Sequence, residues 1–396
     1  MMLTNLLTLA ALAKSSQAAQ SSLVSGTAPG FASGVTGGGD AAPVYPTTVA
    51  ELTEYLTSSS PQNIVIKDTF DFVGSEGTKT EKACNSYSCT PEENGQALLN
   101  TLDGCGSTAT YDVTVDVAGM VGINVASDKT LIGQGSGAVL NGKGLRFVDV
   151  SNIIIQNIAI TNLNPKYVWG GDAISFSDTS KIWIDHVTTS SLGRQHYSFG
   201  TGSDKAITIS NSFMNGKTDY SATCDGHSYW GLELVGSDDQ ITFYSKLKYI
   251  RVYHESANQW LTIPENHVSY TSGRTPALSG TTLFHAVNNV WADNSGHALE
   301  GTSKGKGLYE GNLFNNVPNI AGSDFVGQLF SSQEADVGKC AASLKRDCVT
   351  NEYTNSGTFN FSDTGFFSEL ESLSIVAAEP VSSIKDSVIA DAGNTL

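Results

Sequence analysis

Basic residues are scarce in this 396-residue sequence, which has 22 Lys and Arg against 39 Asp and Glu and a formal net charge of −17. The few cations form no cluster or stripe, so nucleic acid and anionic membranes are poor partners. The same negative charge would repel a polyanionic substrate. A uronate polymer would therefore suit this chain only with its carboxylates masked as neutral esters, although solubility alone explains the charge equally well.

Long apolar runs are also lacking, and none beyond the amino terminus is long enough for a membrane helix. Residues 1–13 contain an apolar core too short to span a bilayer, and small residues follow at 15–19. This pattern predicts a signal peptide over residues 1–19, cut near Ala18 or Ala19. We therefore expect a secreted, extracellular, monomeric protein with a single domain over residues 20–396.

Cysteines are few but even in number: Cys84, Cys89, Cys105, Cys224, Cys340 and Cys348. In an exported chain they predict disulfides, whose pairing the sequence alone leaves open. No CxxC or Cys/His spacing favours a metal site, so we expect no metal and no cofactor. One sequon at Asn360 is a weak indication of N-glycosylation.

Helical periodicity is scarce, and one short phrase recurs instead: alternating apolar residues, a polar residue that is often Asn, and another apolar residue. It occurs at 153–158 (IIIQNI), 182–187 (IWIDHV), 207–211 (ITISN), 285–290 (HAVNNV) and 308–313 (LYEGNL). Strands of this kind bury their apolar faces only by stacking, which is typical of a solenoid. The sequence predicts an all-β, right-handed parallel β-helix with peripheral loops and stacked Asn side chains; a β-sandwich is the alternative.

One stretch interrupts this repeat, because the recurrent polar positions at Asn211 and Asn289 are too far apart. If Lys246 to Glu265 are removed, Asn266 follows Ser245 and stands 23 residues before Asn289, which equals the next interval. The 20 residues at 246–265 are therefore predicted to be an insertion. They are either a genuine surface loop or an intron translated in frame, and we favour the intron.

Aromatic, acidic and arginine side chains are concentrated in segments that would project from one side of such a solenoid. These segments are similar to those of fungal pectin lyases in the pectate lyase superfamily: 167–174 (YVWGGDAI), 183–188 (WIDHVT), 193–197 (GRQHY), 219–226 (DYSATCDG) and 283–289 (LFHAVNN). The resemblance runs from residue 25 almost to the carboxyl terminus. It implies a β-helix with disulfides Cys84–Cys105, Cys89–Cys224 and Cys340–Cys348, and endo-acting eliminative cleavage of methyl-esterified α-1,4-galacturonan.

The chemistry that the resemblance implies is a β-elimination. Relatives that cut de-esterified polymer use Ca²⁺ held by acidic side chains, whereas a methyl ester is already neutral and electron-withdrawing. Of the calcium-ligand set we identify only Asp185, and one carboxylate is too few for Ca²⁺. The proton acceptor falls on Arg274, which would need desolvation or a neighbouring cation to act as a base; otherwise it would stabilise the enolate. Asp185 is predicted to point outward and to orient Arg274 or bind sugar hydroxyls.

Substrate contacts are expected from Arg194, whose guanidinium could bind the C6 ester, and from the aromatic residues Trp183, Tyr229 and Trp230. Relatives often carry cations where Ala206 and Ala277 stand. Lys205 could replace the first, and nothing visible replaces the second. Two other functions remain open: a polygalacturonase-type hydrolase, although no suitable carboxylate pair is evident, and an inactive or glycan-binding β-helix if the insertion disrupts the site.

Overall fold

The computed structural model describes residues 23–245, 266–302, 304–383 and 392–396. The predicted signal peptide, its cleavage site and the predicted insertion at 246–265 lie outside the described residues. The strands are β1 (Pro43–Val44), β2 (Gln62–Ile66), β3 (Thr69–Asp71), β4 (Thr78–Cys84), β5 (Ala97–Leu99), β6 (Tyr111–Asp116), β7 (Ile123–Asn124), β8 (Lys129–Gly133), β9 (Val139–Asn141), β10 (Leu145–Val148), β11 (Ser151–Gln156), β12 (Ala159–Leu163), β13 (Tyr167–Val168), β14 (Ile174–Ser177), β15 (Ser180–Asp185), β16 (Thr188–Leu192), β17 (Tyr197–Phe199), β18 (Lys205–Ser210), β19 (Phe213–Asn215), β20 (Leu232–Leu234), β21 (Gln240–Tyr244), β22 (His267–Ser269), β23 (Ala277–Leu278), β24 (Leu283–Val287), β25 (Val290–Ala292), β26 (His297–Leu299), β27 (Gly305–Glu310), β28 (Leu313–Asn315), β29 (Asn319–Ala321), β30 (Gly327–Ser331) and β31 (Glu352–Thr354).

Three long parallel sheets run the length of the molecule. Sheet 1 has the order β1-β2-β8-β11-β15-β18-β21-β24-β27-β30, sheet 2 the order β3-β9-β12-β16-β19-β22-β25-β28-β31, and sheet 3 the order β7-β10-β14-β17-β20-β23. Each coil passes from sheet 3 to sheet 1 to sheet 2 and then returns. Within these three sheets the strands of successive coils pair in parallel, which confirms the predicted β-helix; outside them, β4 pairs antiparallel with β5 and β6.

The core lies between the three sheets and is built by strand alternation. Ile153, Ile182 and Ile207 pair side by side in sheet 1 and point inward, fully buried. Helix α1 (Val49–Thr57) begins at an N-cap formed by Thr48. It buries Leu52 and Leu56, one turn apart, at the amino-terminal end of this core.

The remaining helical segments are short and lie outside the coils. They are the α-helices α2 (Val117–Met120) and α3 (Ala341–Leu344) and the 3-10 helices Gly30–Ala32, Pro91–Glu93, Thr101–Asp103, Glu334–Cys340 and Phe367–Glu369. No helix within the described ranges is long and apolar enough to cross a membrane.

The outer face of sheet 1 is covered by the amino-terminal segment, residues 23–44. Its backbone amides at Phe31, Ala32 and Gly38 donate hydrogen bonds to outward-facing threonines of the sheet. Ala32 packs against Ile154 and Trp183. Towards the carboxyl-terminal end, Cys340, Cys348 and the segment 366–370 cover the same face.

A ladder of asparagines follows the turn from sheet 1 to sheet 2 in the carboxyl-terminal coils, whereas Asn157 and Asn211 of the predicted pattern donate instead to Gly133 and Asp185. The amide of Asn266 donates to Asn289, that of Asn289 donates to Asn312, and that of Asn312 donates to Asn351, at 2.9–3.2 Å. Asn351 is a member that the sequence phrases did not reveal. Each bond satisfies a buried polar group and fixes the register of neighbouring coils.

The strands on either side of residues 246–265 pair with the next coil in an uninterrupted register. Tyr244 pairs with Val287, and His267 pairs with Val290. Two residues, 288 and 289, separate Val287 from Val290, and this spacing is matched by Ser245 and Asn266. Residues 246–265 are therefore extra to a coil that is complete in its pairing.

The three disulfides are Cys84–Cys105, Cys89–Cys224 and Cys340–Cys348. All three pairings that the resemblance implies are confirmed. Cys89–Cys224 spans 135 residues and ties the loop before sheet 3 to the amino-terminal β4–β6 region. It holds one wall of the site described below.

Candidate active site

The outward face of sheet 3 carries a column of paired residues, one from each coil. In register these are Asn124, Arg146, Ser175, Ser198, Glu233, Ala277 and Glu300. The residues on either side of Glu233, Leu232 and Leu234, are buried in the core, so alternation forces the carboxylate outward. Small side chains and acids thus line the floor of a groove parallel to the solenoid axis.

Arg274 reaches this column from the turn that leads from sheet 2 back to sheet 3. Its Nη1 donates to Oε1 of Glu233 at 2.7 Å, and its Nε donates to Oε1 of Glu300 at 3.0 Å. The backbone of Arg274 has φ +44°, a left-handed conformation that recurs at many turns of this chain. A Cβ on neighbouring Gly231 would lie 2.6 Å from the Arg274 carbonyl oxygen, so glycine is required there.

Aromatic side chains form one wall beside Arg274. The guanidinium carbon lies 5.1 Å from the ring centroid of Trp230, and the Tyr229 ring packs edge-on against the same indole. Tyr229 donates its hydroxyl to Glu300 at 2.7 Å. Burial raises the pKa of Tyr229, and the Glu300 carboxylate raises it further, so the phenol stays protonated.

Glu300 accepts hydrogen bonds from three different side chains. It accepts from Arg274, from Tyr229 and from Nε2 of His297, which lies 2.8 Å away. Burial alone would raise its pKa, but these two hydrogen bonds from His297 and Tyr229 and the charge of Arg274 hold the pKa below its ordinary value. Glu300 is therefore a carboxylate at neutral pH.

Arg194 lies on the other side of Glu233 and is held by Asp172. Its Nε and Nη2 donate to the two carboxylate oxygens at 3.0 and 2.7 Å, and its guanidinium stacks on Trp169 at 3.8 Å. Burial disfavours its charge, yet the paired Asp172 raises the pKa of Arg194 above its ordinary value. Nη2 also lies 3.6 Å from Glu233.

These five side chains make an alternating series that we call the charged row: Asp172, Arg194, Glu233, Arg274 and Glu300. Each carboxylate of the row forms an ion pair with one of the two guanidiniums, which does not fit a Ca²⁺ site, because calcium needs six to eight oxygen ligands. Across residues 23–245, 266–302, 304–383 and 392–396 no group of three His, Cys, Asp or Glu side chains is placed to hold a metal ion.

The surroundings of Arg274 differ from those expected from the sequence. Among the residues that the structure describes, its ion-pair partners are two carboxylates, Glu233 and Glu300, and about a quarter of its side chain is exposed. Opposite charges at this distance stabilise the guanidinium cation. The charged groups in contact with Arg274 are therefore opposite in sign to the cation expected beside it.

Asp185 is not placed beside Arg274. It points outward from sheet 1, as predicted, but is buried beneath the amino-terminal segment. There it accepts hydrogen bonds from Gln156, Ser210 and Asn211 at 2.6–2.8 Å and pairs with His186. The acids that bind Arg274 are on sheet 3, so the predicted orienting role of Asp185 is wrong. Its environment is that of a buried structural carboxylate.

Two other predicted contacts also fall outside the groove. Trp183 is 3% exposed, packs on Ala32 and donates its indole N–H to Ser210, so it offers no sugar-binding face. Lys205 is exposed but begins strand β18 of sheet 1. Of the predicted set, the structure brings together Arg274, Arg194, Tyr229 and Trp230.

Asp172, Glu233 and Glu300 were not predicted as site residues. Asp172 lies within the 167–174 motif quoted above, and its neighbour Ala173 is buried in the core. The sequence therefore contained a signal that could have identified Asp172 as a site residue. The sequence signal for Glu233 and Glu300 is weaker, because each is a single acid beside buried apolar residues. Glu233 lies between Leu232 and Leu234, and Glu300 follows Ala298 and Leu299. That signal becomes informative only once the register of sheet 3 is known.

The sequence comparisons bear directly on this geometry. The Pectate lyase family model matches residues 97–394. The chain is 72% identical to "Probable pectin lyase E" of Aspergillus niger over 386 residues, covering 98% of this chain and 99% of that protein. This chain belongs to the pectate lyase family. A second family member, "Pectin lyase A" of Emericella nidulans, is 48% identical over 402 residues, with 99% of each chain covered.

Solved structures of the family share the fold. A pectate lyase of Paenibacillus sp. 0602 superimposes with a TM-score of 0.56 at 13% identity, covering 93% of this chain and 96% of its own. A variant pectate lyase of Xanthomonas campestris gives 0.53 at 18% identity, covering 93% and 98%. At these identities the similarity establishes the β-helix fold alone, and the reaction must be argued from the residues of the site.

Proposed function

We propose that this protein is a secreted, endo-acting pectin lyase that cleaves α-1,4-linked, methyl-esterified galacturonan by β-elimination. The observation that carries the proposal is Arg274, held beside Tyr229 and Trp230 in an open groove along the solenoid. Full-length relatives named pectin lyases support the same reaction. A linear polysaccharide fits such a groove, since sugar rings stack on aromatic faces.

The elimination breaks the C5–H bond and the bond between C4 and its glycosidic oxygen, and it forms a C4=C5 double bond. The C4–O electron pair leaves with the departing sugar, whose oxygen takes a proton from solvent. Arg274 is proposed to take the C5 proton, as in the family. A guanidinium has no free lone pair, so one of its protons must first pass to a neighbour. Glu233 and Glu300 are acceptors already in hydrogen-bond contact.

Negative charge develops on the C6 carbonyl oxygen as the C5 proton leaves. The positive guanidinium of Arg274 lies where it can stabilise that charge. Arg194 is proposed to act near the same ester group, although its Nε and Nη2 are held by Asp172. The methyl ester matters because it is neutral before the reaction and becomes an enolate with a single negative charge.

The deciding experiment measures unsaturated uronide by its ultraviolet absorbance after incubation with highly esterified pectin and with de-esterified polymer, each with and without a calcium chelator. We expect rapid release from esterified pectin that the chelator does not change. Arg274→Lys should lower this rate steeply while the protein stays folded. Cleavage without ultraviolet absorbance would indicate a hydrolase, and calcium-dependent cleavage of de-esterified polymer would contradict the proposal.

A further inference from the structure

The charged row has more carboxylates than guanidiniums. Asp172, Glu233 and Glu300 face Arg194 and Arg274, so the carboxylates of the row outnumber its guanidiniums by one. Each side chain of the row is at most 28% exposed. Charges that are partly shielded from water act more strongly on a ligand than fully exposed ones.

Glu233 occupies the centre of this row and differs from the other two acids in its partners. Asp172 is neutralised by two hydrogen bonds from Arg194 and one from the Gln195 amide. Glu300 is held by Tyr229 and His297 in addition to Arg274. The carboxylate of Glu233 lies between the two guanidiniums, 2.7 Å from Arg274 and 3.6 Å from Arg194.

In this position the Glu233 carboxylate prevents the two arginines from binding a substrate carboxylate between them. A uronate carboxylate approaching Arg274 would have to displace Glu233 and would meet its negative charge at close range. A methyl ester brings no charge, so its carbonyl oxygen can approach the same guanidinium without that repulsion. Ala277, the residue between Glu233 and Glu300 in the column, adds no compensating cation.

We infer that Glu233 is a specificity-determining residue that rejects free galacturonate and thereby selects methyl-esterified units at the reacting position. The inference rests on the proposed pectin lyase function and names the group that sets its substrate preference. Specificity of this kind comes from an element that repels the wrong ligand as much as from contacts with the right one.

The test compares kcat/KM on a sparsely esterified pectin with kcat/KM on a highly esterified one. Glu233→Gln keeps the size of the side chain and one acceptor oxygen, which can face Arg274 or Ser198, but removes the charge. We expect the sparse-to-high ratio to rise by about tenfold, the typical scale of one partly screened charge. Glu233→Asp, which keeps the charge, should leave the ratio near that of the wild type.

A matched control is Glu369→Gln, which removes a carboxylate from the surface ion pair with Lys306, outside the charged row. Its ratio should not change. Salt gives a second readout, because screening weakens repulsion between charges. Raising NaCl should increase the sparse-to-high ratio of the wild-type enzyme and have a smaller effect on Glu233→Gln.

An unchanged ratio in folded Glu233→Gln would overturn the inference. Equal loss of activity on both substrates would also overturn it, because Glu233 would then act only by positioning Arg274 or accepting its proton. If the wild-type protein releases no unsaturated product from highly esterified pectin, the proposed function itself fails, and that outcome is recognised before any variant is measured.

Discussion

Asp239 offers the sharpest test of the electrostatics of the fold. It lies in the turn from sheet 3 to sheet 1, is 1% exposed, and accepts hydrogen bonds from the Asp204 amide and the Thr282 hydroxyl. Burial, with the nearby Asp204 carboxyl adding to it, raises the pKa of Asp239 from 3.8 to about 7. The folded state therefore holds this proton more tightly than the unfolded chain does.

The sign and size of the effect follow from this difference. Below about pH 4 both states are protonated, and the folded state has its full stability. Between about pH 4 and 7 the unfolded chain releases the proton first, which lowers the free energy of unfolding by up to about 4 kcal/mol. For a chain of this length, that loss corresponds to about 5 °C in Tm.

Asp239→Asn removes the titrating group while keeping an acceptor for the Asp204 amide. We expect the variant to lose less stability than the wild type between pH 4 and 7, and to melt at a higher temperature than the wild type at pH 8. The assay is thermal unfolding followed by circular dichroism across this range. Asp238→Asn, an exposed neighbour, is the matched control and should behave like the wild type. Identical pH profiles for all three proteins would refute the reasoning.

Three further predictions concern other parts of the chain. A protein lacking residues 246–265 should fold with an unchanged or higher Tm and show higher activity on esterified pectin. Equal activity would favour a surface loop that does not affect the site. A mature cDNA that encodes the segment would rule out a retained intron. Arg346→Met should destabilise the fold by about 3–5 kcal/mol near neutral pH, because Glu310 is fully buried. Its hydrogen bonds outweigh burial and lower the pKa of Glu310 to about 2, so this penalty should fade below pH 4 in unfolding titrations. Gly273→Ala should reduce kcat/KM about tenfold with little change in Tm, because the new Cβ would meet the Tyr229 ring at 2.5 Å; unaltered kinetics would exclude Tyr229 from the substrate site.

Much of the fold could be predicted from the sequence because a solenoid repeats its local rules. Alternation within 182–187 correctly separates inward Ile182 and Ile184 from outward Trp183 and Asp185. Alternation cannot show what covers an outward side chain. The amino-terminal segment that buries Trp183 and Asp185 is more than 100 residues away in the chain, and nothing in either local sequence indicates the contact.

The site was only partly predictable for a related reason. Arg274 was carried over from the family resemblance, and Arg194, Tyr229 and Trp230 were predicted because guanidinium and aromatic side chains suit an esterified sugar polymer. Glu233 and Glu300 act through pairing across coils, and coil lengths vary: Ile207 pairs with Ile241, 34 residues on, whereas Ile241 pairs with Phe284, 43 residues on. With such unequal spacing, the neighbours of a given acid emerge only from the three-dimensional register.

The column on sheet 3 has a consequence for the evolution of such an enzyme. Neighbouring strands are about 4.8 Å apart, so its seven positions extend over roughly 29 Å. Each coil supplies one side chain to this length and is held to its neighbours by backbone pairing and by the continuous apolar core. A substitution in the column therefore changes the contact with the polymer at one position and leaves the neighbouring contacts unchanged. Substrate binding by this surface can thus change one sugar contact at a time.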